Sequence, residues 1–150
     1  MNGYKAGQSY LIDSNIFLRA FVRDDKKTWS DCVNALKAVG RRKFKAYIPT
    51  VIFAEVQFVL ASFYGFKKDQ VLDAVKSITS LPNLGFHDDC SPSLAIELFE
   101  MYNVKFIDCL LASSKRVQEG KSAILSYDRD FDKLGVRRIE PKDILYRVVE

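Results

Sequence analysis

The chain has 150 residues, of which 48% are hydrophobic and 28% charged, with a formal net charge of +4. These values predict one ordinary globular domain over residues 1–150 and exclude a disordered or low-complexity chain. Three widely spaced cysteines without a CxxC pair favour reduced thiols in a cytoplasmic protein, and the polar residues 1–10 and the absence of a long apolar run argue against a signal peptide or a membrane span.

Short β-branched or aromatic runs alternate with longer helical patterns, which predicts βαβ units and a mostly parallel sheet. In chain order, the expected strands are residues 10–12, 46–48, 84–86, 123–126 and 136–139. The expected helices are residues 16–22, 30–39, 51–64, 69–81, 92 to about 102, 106–118 and 141–149. Ser91 and Pro92 are typical of a helix start, and Gly65 and Gly120 of helix ends.

Carboxylates recur at the junctions between these elements. Asp13 ends the first strand, Glu55 lies about one and a half turns into the helix after the second, and Asp108 lies in the first turn of the helix before the fourth. Asp128 follows the fourth strand and Asp130 lies two residues further on. Because strand ends and helix starts meet at one edge of a parallel sheet, we expect these side chains to lie together.

Clustered carboxylates repel one another, and a hard divalent cation relieves that repulsion. Mg²⁺ or Mn²⁺ held by carboxylates can polarise a phosphodiester and activate a water molecule. His87 is the only histidine in the sequence, so a two-histidine ribonuclease mechanism and a multi-histidine metal site are excluded. The sequence has no P-loop and no GxGxxG motif either. If the chain is a hydrolase, metal and carboxylates are therefore the expected machinery.

A structural explanation is also open for each of these residues. Asp13 and Asp128 could be capping or turn residues at strand ends. That explanation is weaker for Glu55 and Asp108, which lie within apolar runs where an unpaired charge facing the core is costly.

Four segments carry a resemblance that covers nearly the full length of the chain. They are LIDSNIFLRAFVRDD (11–25), YIPTVIFAEVQFVLASFYG (47–65), VKFIDCLLASS (104–114) and ILSYDRDFDKLGV (124–136). Each segment alone is only a weak sign of a family. Together, their order, their spacing and their coincidence with the carboxylates make the chain resemble a PIN domain of the VapC type.

The resemblance implies a role for particular residues. Asp13, Glu55, Asp108 and Asp128 match the catalytic acidic residues of the family, with Asp13, Asp108, Asp128 and Asp130 as expected metal ligands. Ser14, Asn15 and Ser126 match supporting positions, with serine at 14 and 126 where the family favours threonine. The resemblance also implies a three-layer α/β/α fold, Mg²⁺- or Mn²⁺-dependent endoribonuclease activity, a homodimer and inhibition by a cognate antitoxin.

Basic residues near the proposed pocket are candidates for holding RNA phosphates. Arg19 and Arg23 flank the end of the helix that follows Asp13, and Lys115 and Arg116 form a second basic pair. Three alternatives stay open: a PIN-like module that binds RNA or protein without cutting, an RNA-processing nuclease without an antitoxin, and a metal phosphohydrolase that acts on small molecules.

Overall fold

A computed structural model describes residues 8–148. Its elements, in chain order, are β1 (Ser9–Ile12), α1 (Ser14–Phe21), α2 (Lys26–Gly40), β2 (Lys45–Ile48), α3 (Val51–Ser62), α4 (Lys68–Thr79), β3 (Leu84–Phe86), α5 (Pro92–Met101), α6 (Phe106–Ala112), α7 (Lys115–Gln118), β4 (Ser122–Leu125), α8 (Asp130–Lys133), β5 (Arg138–Ile139) and α9 (Pro141–Val148). The described range leaves out residues 1–7, which belong to the polar segment that argued against a signal peptide. It also leaves out Val149, the expected end of the last helix. Within the described range, no helix is both long and apolar enough to cross a membrane.

The strands form one sheet in the order β3-β2-β1-β4-β5. Every pairing is parallel, including those of β1 with β2 and of β1 with β4. The expected α/β fold is confirmed, and the sheet is wholly rather than mostly parallel. The strand order reverses between β1 and β4, because the chain adds β2 and β3 on one side of β1 and then returns to add β4 and β5 on the other. Such a switch point leaves a crevice beyond the carboxyl ends of the two strands.

Helices cover both faces of the sheet. Crossovers between parallel strands are right-handed, so connections that progress in opposite directions across the sheet lie on opposite faces. Accordingly α1 packs against α2 and α3, whereas α6 packs against α5 and α8. This arrangement gives the three layers that the resemblance implied.

The core lies where the central strands meet these helices. Leu11, Ile12, Ile48, Ile124 and Leu125 are fully buried, as expected for strands covered on both faces. The apolar side chains fix the strands, and the polar residues that follow them are thereby fixed at one edge of the sheet.

The helix predicted over residues 106–118 is wrong, because the chain breaks between α6 and α7 at Ser113 and Ser114. The Ser113 hydroxyl donates to the Leu110 carbonyl and accepts from the Ser91 amide. The Ser114 hydroxyl bonds to the Tyr47 hydroxyl and to a carboxylate oxygen of Asp89. Serine hydroxyls that compete for such bonds are known to interrupt helices.

Several other elements differ from the prediction, most of them by one or two residues at an end. α2 begins at Lys26 rather than residue 30, because the Asp25 carboxylate accepts from the Thr28 amide and caps the helix earlier. The acidic turn after β4 contains the short helix α8, and β5 consists of only Arg138 and Ile139.

Candidate active site

Asp13 lies at the switch point, directly after β1. Its backbone amide donates to the Leu125 carbonyl of β4, so the ends of the two central strands are joined at this residue. Its side chain caps α1, where one carboxylate oxygen accepts from the Ser14 amide at 2.7 Å. Only 4% of Asp13 is exposed. The strand, the helix start and the neighbouring strand therefore all fix the position of this carboxylate.

The Ser126 hydroxyl connects the two sides of the crevice. It donates to Asp13 Oδ2 at 2.6 Å and accepts from Asn15 Nδ2 at 3.0 Å and from the Asp128 amide at 2.9 Å. A hydroxyl has one proton and two lone pairs, so these three bonds use its full capacity. The structure thus brings Asn15 and Ser126 together in one network, with Ser14 on the other oxygen of Asp13.

Asp108 and Glu55 reach the same region from helices. Asp108 lies in the first turn of α6 and is 2% exposed, and Glu55 lies on α3. Within the described part of the chain, neither Asp108 Oδ2 nor Glu55 Oε2, both buried, has a hydrogen-bond partner. A buried carboxylate oxygen without a donor is costly, so these two atoms point to a ligand that the protein itself does not supply.

Asp128 and Asp130 complete the cluster from the loop after β4. The Asp130 amide donates to Asp128 Oδ1 at 2.9 Å, which holds the two residues in one turn. One carboxylate oxygen from each of Asp108, Asp128 and Asp130 lies within 4.8 Å of the other two. We call these three residues the acidic trio. Asp13 is not part of the trio, but it is electrostatically coupled to Asp108.

Burial and mutual repulsion raise the pKa of two of these carboxyls. The pKa of Asp108 rises to about 7, chiefly through burial and next through the negative charge of Asp13. Burial raises the pKa of Asp13 to about 6, against the stabilising hydrogen bond from Ser126. Glu55 and Asp128 add further repulsion at both sites. Without a cation, part of the cluster therefore holds protons near neutral pH.

Two lysines contact the acidic trio, and the sequence analysis named neither of them. Lys105 Nζ lies 3.6 Å from Asp128 Oδ2, and Lys133 Nζ lies 3.1 Å from Asp130 Oδ1. Partial burial lowers the pKa of Lys105, but the carboxylates around it outweigh that effect and raise it. The signal for Lys105 was its position three residues before Asp108, at the cap of α6.

Arg138 supports the loop that carries Ser126. Its guanidinium donates to the Ser126 carbonyl at 3.0 Å and pairs with Asp132 and Glu140. The arginine thereby ties β5 and α8 to the end of β4. Sequence reasoning missed this role, because a single arginine in a short edge strand gives no signal of its own.

Of the predicted RNA-binding residues, Arg19 contacts the residue that precedes Asp128. Its guanidinium lies 4.8 Å from the centre of the Tyr127 ring, and Tyr127 immediately precedes Asp128. Arg23 lies over the ring of Trp29, at 4.0 Å, one turn further from Asp13 along the chain.

The structure does not bring Lys115 and Arg116 to the pocket. Lys115 pairs with Glu119, which also pairs with Lys121 beside the start of β4. This is the strand-start edge, opposite the strand ends that carry the acidic trio. Along the chain, Lys115 also lies beyond the far end of α6 from Asp108, on the order of 10 Å of helix rise away.

The residues around His87 do not join the site. Asp88 accepts from the amide and hydroxyl of Thr50, and Asp89 accepts from Ser114 and the Arg116 amide. His87 packs edge-on against Tyr47. These contacts are those of polar residues in the turn between β3 and α5.

The donor set fits a hard divalent ion. The trio offers carboxylate oxygens, the ligands that Mg²⁺ and Mn²⁺ prefer, and such sites need few protein ligands when water and phosphate supply the rest. Asp108 Oδ2, which has no hydrogen-bond partner among the described residues, could bind such an ion. Asp108, Asp128 and Asp130 are thus the residues that would hold the ion, with Asp13 and Glu55 beside them.

A sequence model of the PIN domain matches residues 10–136, a span that includes Asp13, Glu55 and the whole acidic trio. The chain belongs to the PIN domain family. The chain is similar to the VapC ribonuclease of Aquifex aeolicus (strain VF5), at 23% identity over 133 residues. The alignment covers 87% of this chain and 96% of that protein.

Solved structures share the fold of this chain at low sequence identity. PAE2754 from Pyrobaculum aerophilum matches with a TM-score of 0.67 at 13% identity, covering 97% of this chain and 98% of its own. VapBC2 from Rickettsia felis was solved bound to a DNA fragment from the VapBC2 promoter. One of its chains matches with a TM-score of 0.64 at 18% identity, covering 89% of this chain and 98% of its own. VapC20 of Mycobacterium tuberculosis, a sarcin–ricin loop cleaving toxin, matches with a TM-score of 0.59 at 11% identity, covering 85% and 95%.

The raised pKa values predict how stability depends on pH without metal. Unfolded aspartates lose their protons near 3.8, whereas folded Asp13 and Asp108 hold them to about 6 and about 7. Their contribution to stability is complete below about pH 4 and is lost as the pH rises through these values. Urea unfolding in EDTA should therefore show the free energy of unfolding falling between about pH 4 and about pH 7 and levelling off above that range.

Asp108→Asn should reduce this fall, whereas Asp73→Asn on the exposed face of α4 should leave it unchanged. The same pH dependence in Asp108→Asn and the wild type would contradict the assignment of Asp108 as a protonated group.

Proposed function

We propose that the protein is a metal-dependent endoribonuclease and the toxin of a VapBC-type toxin–antitoxin pair. The observation that carries this proposal is the acidic trio at the end of β4, with oxygens within 4.8 Å of one another, in a chain of the PIN domain family. The proposed cofactor is Mg²⁺ or Mn²⁺, held by Asp108, Asp128 and Asp130, with Asp13 as a further ligand.

When bound, such an ion activates water and stabilises the charge that develops on the phosphodiester. The residues of the chain supply the rest. Ser126 and the Ser14 amide hold Asp13 in one orientation, because each donates to a different oxygen of its carboxylate. Glu55 Oε2 lacks a donor among the described residues, and Glu55 is the proposed acceptor of a proton from the attacking water. The products are a 5′-phosphate and a 3′-hydroxyl.

RNA is the proposed substrate, and binding requires basic residues at the rim because the pocket repels phosphate. The relative from Aquifex aeolicus is named a ribonuclease, and the net charge of this chain is positive. Arg19 beside Tyr127 is the proposed phosphate contact among the predicted basic residues, with Arg23 further out. Lys115 and Arg116 lie at the opposite edge and are not part of this rim.

A small DNA-binding antitoxin is the proposed protein partner. The match to a chain of the VapBC2 complex supports this assignment, since that complex was solved on a fragment of its promoter. A short reading frame directly upstream that encodes such a protein would favour the toxin role. A gene without one would favour an RNA-processing nuclease of the same chemistry.

A two-fold homodimer is proposed through α3 and α4. Phe58 and Phe63 on and after α3 are 66% and 79% exposed, and Leu72 on α4 is 48% exposed. Large apolar side chains grouped on one surface are typical of an interface. A two-fold contact is self-complementary, so the same surface would serve both protomers.

Asp108→Asn and Asp13→Asn should each lower cleavage of single-stranded RNA with Mn²⁺ by several orders of magnitude, because each removes a charge at the metal without much change of shape. Cleavage is measured from the initial rate of product formation on a labelled oligonucleotide. Asp73→Asn, the matched change on exposed α4, should cleave at the wild-type rate.

Near-normal cleavage by both site variants would contradict the proposed metal site. Binding of RNA by the wild type without cleavage at any metal concentration would favour a binding module. Efficient cleavage of small phosphodiesters with RNA left intact would favour a small-molecule phosphohydrolase.

The dimer is tested by light scattering at micromolar concentration. The wild type should have twice the mass of the chain, and Phe58→Glu with Phe63→Glu should reduce it to one chain, because two charges would be buried without partners. A wild-type monomer would contradict the proposed interface.

A further inference from the structure

Within the chain that the structure describes, Lys105 is the one cation that pairs with a member of the acidic trio on a different element, Asp128. Its Nζ lies 3.6 Å from Asp128 Oδ2, whereas Lys133 pairs with Asp130 three residues away on the same short helix. Lys105 precedes α6 as its cap residue, and Asp128 belongs to the loop after β4. The pair therefore bridges two sides of the pocket.

The position of Lys105 combines contact with exposure. Its side chain is 66% exposed, and that of Asp128 is 23% exposed. A long, flexible side chain at the rim can hold its ammonium group at Asp128 and can also turn outward into solvent. At 3.6 Å the pair is a loose ion pair rather than a tight bidentate one.

A divalent ion and Lys105 compete for the same charge. The ion would take its place among oxygens of Asp108, Asp128 and Asp130, one of which is the residue that Lys105 contacts. With an ion bound at Asp128, the attraction between the Lys105 ammonium group and the cluster would be weaker, and the ammonium group would be free to contact a phosphate. A lysine ammonium is a compact charge with three donors and suits a phosphate oxygen.

We propose that Lys105 is a built-in counter-ion of the acidic trio, which the divalent ion displaces and which then binds the RNA phosphate next to the metal. The inference rests on the proposed function for the identity of the substrate, but the displacement by metal does not depend on catalysis. Lys105 thus takes the role of phosphate contact that the sequence analysis gave to Lys115 and Arg116, because Lys105 contacts the acidic trio.

The test compares the wild type with Lys105→Met, which removes the charge and keeps the length of the side chain. Lys105→Arg restores the charge, and Lys121→Met is the matched control, because Lys121 is a similarly exposed lysine paired with Glu119 at the opposite edge. Circular dichroism confirms that each variant is folded.

The first measurement is calorimetric titration with Mn²⁺ in the absence of RNA. Lys105→Met should bind Mn²⁺ several-fold more tightly than the wild type, because no ammonium group has to be displaced. Lys105→Arg and Lys121→Met should stay close to the wild type. Unchanged or weaker Mn²⁺ binding by Lys105→Met would overturn the proposal.

The second measurement is fluorescence anisotropy of a labelled single-stranded RNA with Ca²⁺, or with Mn²⁺ in the Asp13→Asn background. With the divalent ion present, Lys105→Met should bind RNA about tenfold more weakly, with the dependence of log K on log salt shallower by roughly one unit. Lys105→Arg should recover most of the affinity. RNA binding by Lys105→Met equal to that of the wild type would overturn the phosphate contact.

The outcomes separate this inference from the proposed function. A wild type that binds Mn²⁺ and cleaves RNA, together with a Lys105→Met variant that matches it in both titrations, overturns the role of Lys105 alone. A wild type that neither binds Mn²⁺ nor cleaves RNA overturns the proposed function.

Discussion

Repulsion among carboxylates that the fold forces together is the constraint on which the site depends. Asp13, Glu55, Asp108 and the loop after β4 come from four separate parts of the chain, and they meet because parallel strands end at one edge. Burial makes their charges more costly and raises the pKa values of Asp13 and Asp108. Protons and lysines offset part of this cost, and a divalent ion would offset more of it.

The scaffold supports the site by fixing the ends of β1 and β4. The Asp13 amide bonds to the end of β4, and the Ser126 hydroxyl bonds back to the Asp13 carboxylate. Arg138 holds the Ser126 carbonyl from β5, so even the edge strand helps to place the acidic loop. The buried strands Ser9–Ile12 and Ser122–Leu125 provide the rigidity, and the polar residues after them provide the chemistry. A strained or mobile loop is not required to assemble the cluster.

The sequence predicted the fold and the position of the carboxylates at one edge of the sheet, because both follow from local patterns. Apolar strands flanked by helices define the parallel sheet, and a carboxylate after a strand is visible as soon as the strand is placed. The hydroxyl of Ser126 was predicted as a support, and its three hydrogen bonds agree with that role. Lys105 and Arg138 were missed, since their contacts join residues that are distant in sequence or lie in weakly patterned segments. Lys115 and Arg116 were named as candidates from their charge alone, and α6 carries the chain away from Asp108 before it reaches them.

The most direct test of the account is the location of Mn²⁺ by anomalous scattering in a crystal grown with the metal. We expect a peak among Asp108, Asp128 and Asp130, with their carboxylate oxygens as ligands and with Lys105 turned away from Asp128. A crystal in which Mn²⁺ binds elsewhere, or in which the trio keeps Lys105 at Asp128 and binds no metal, would contradict it.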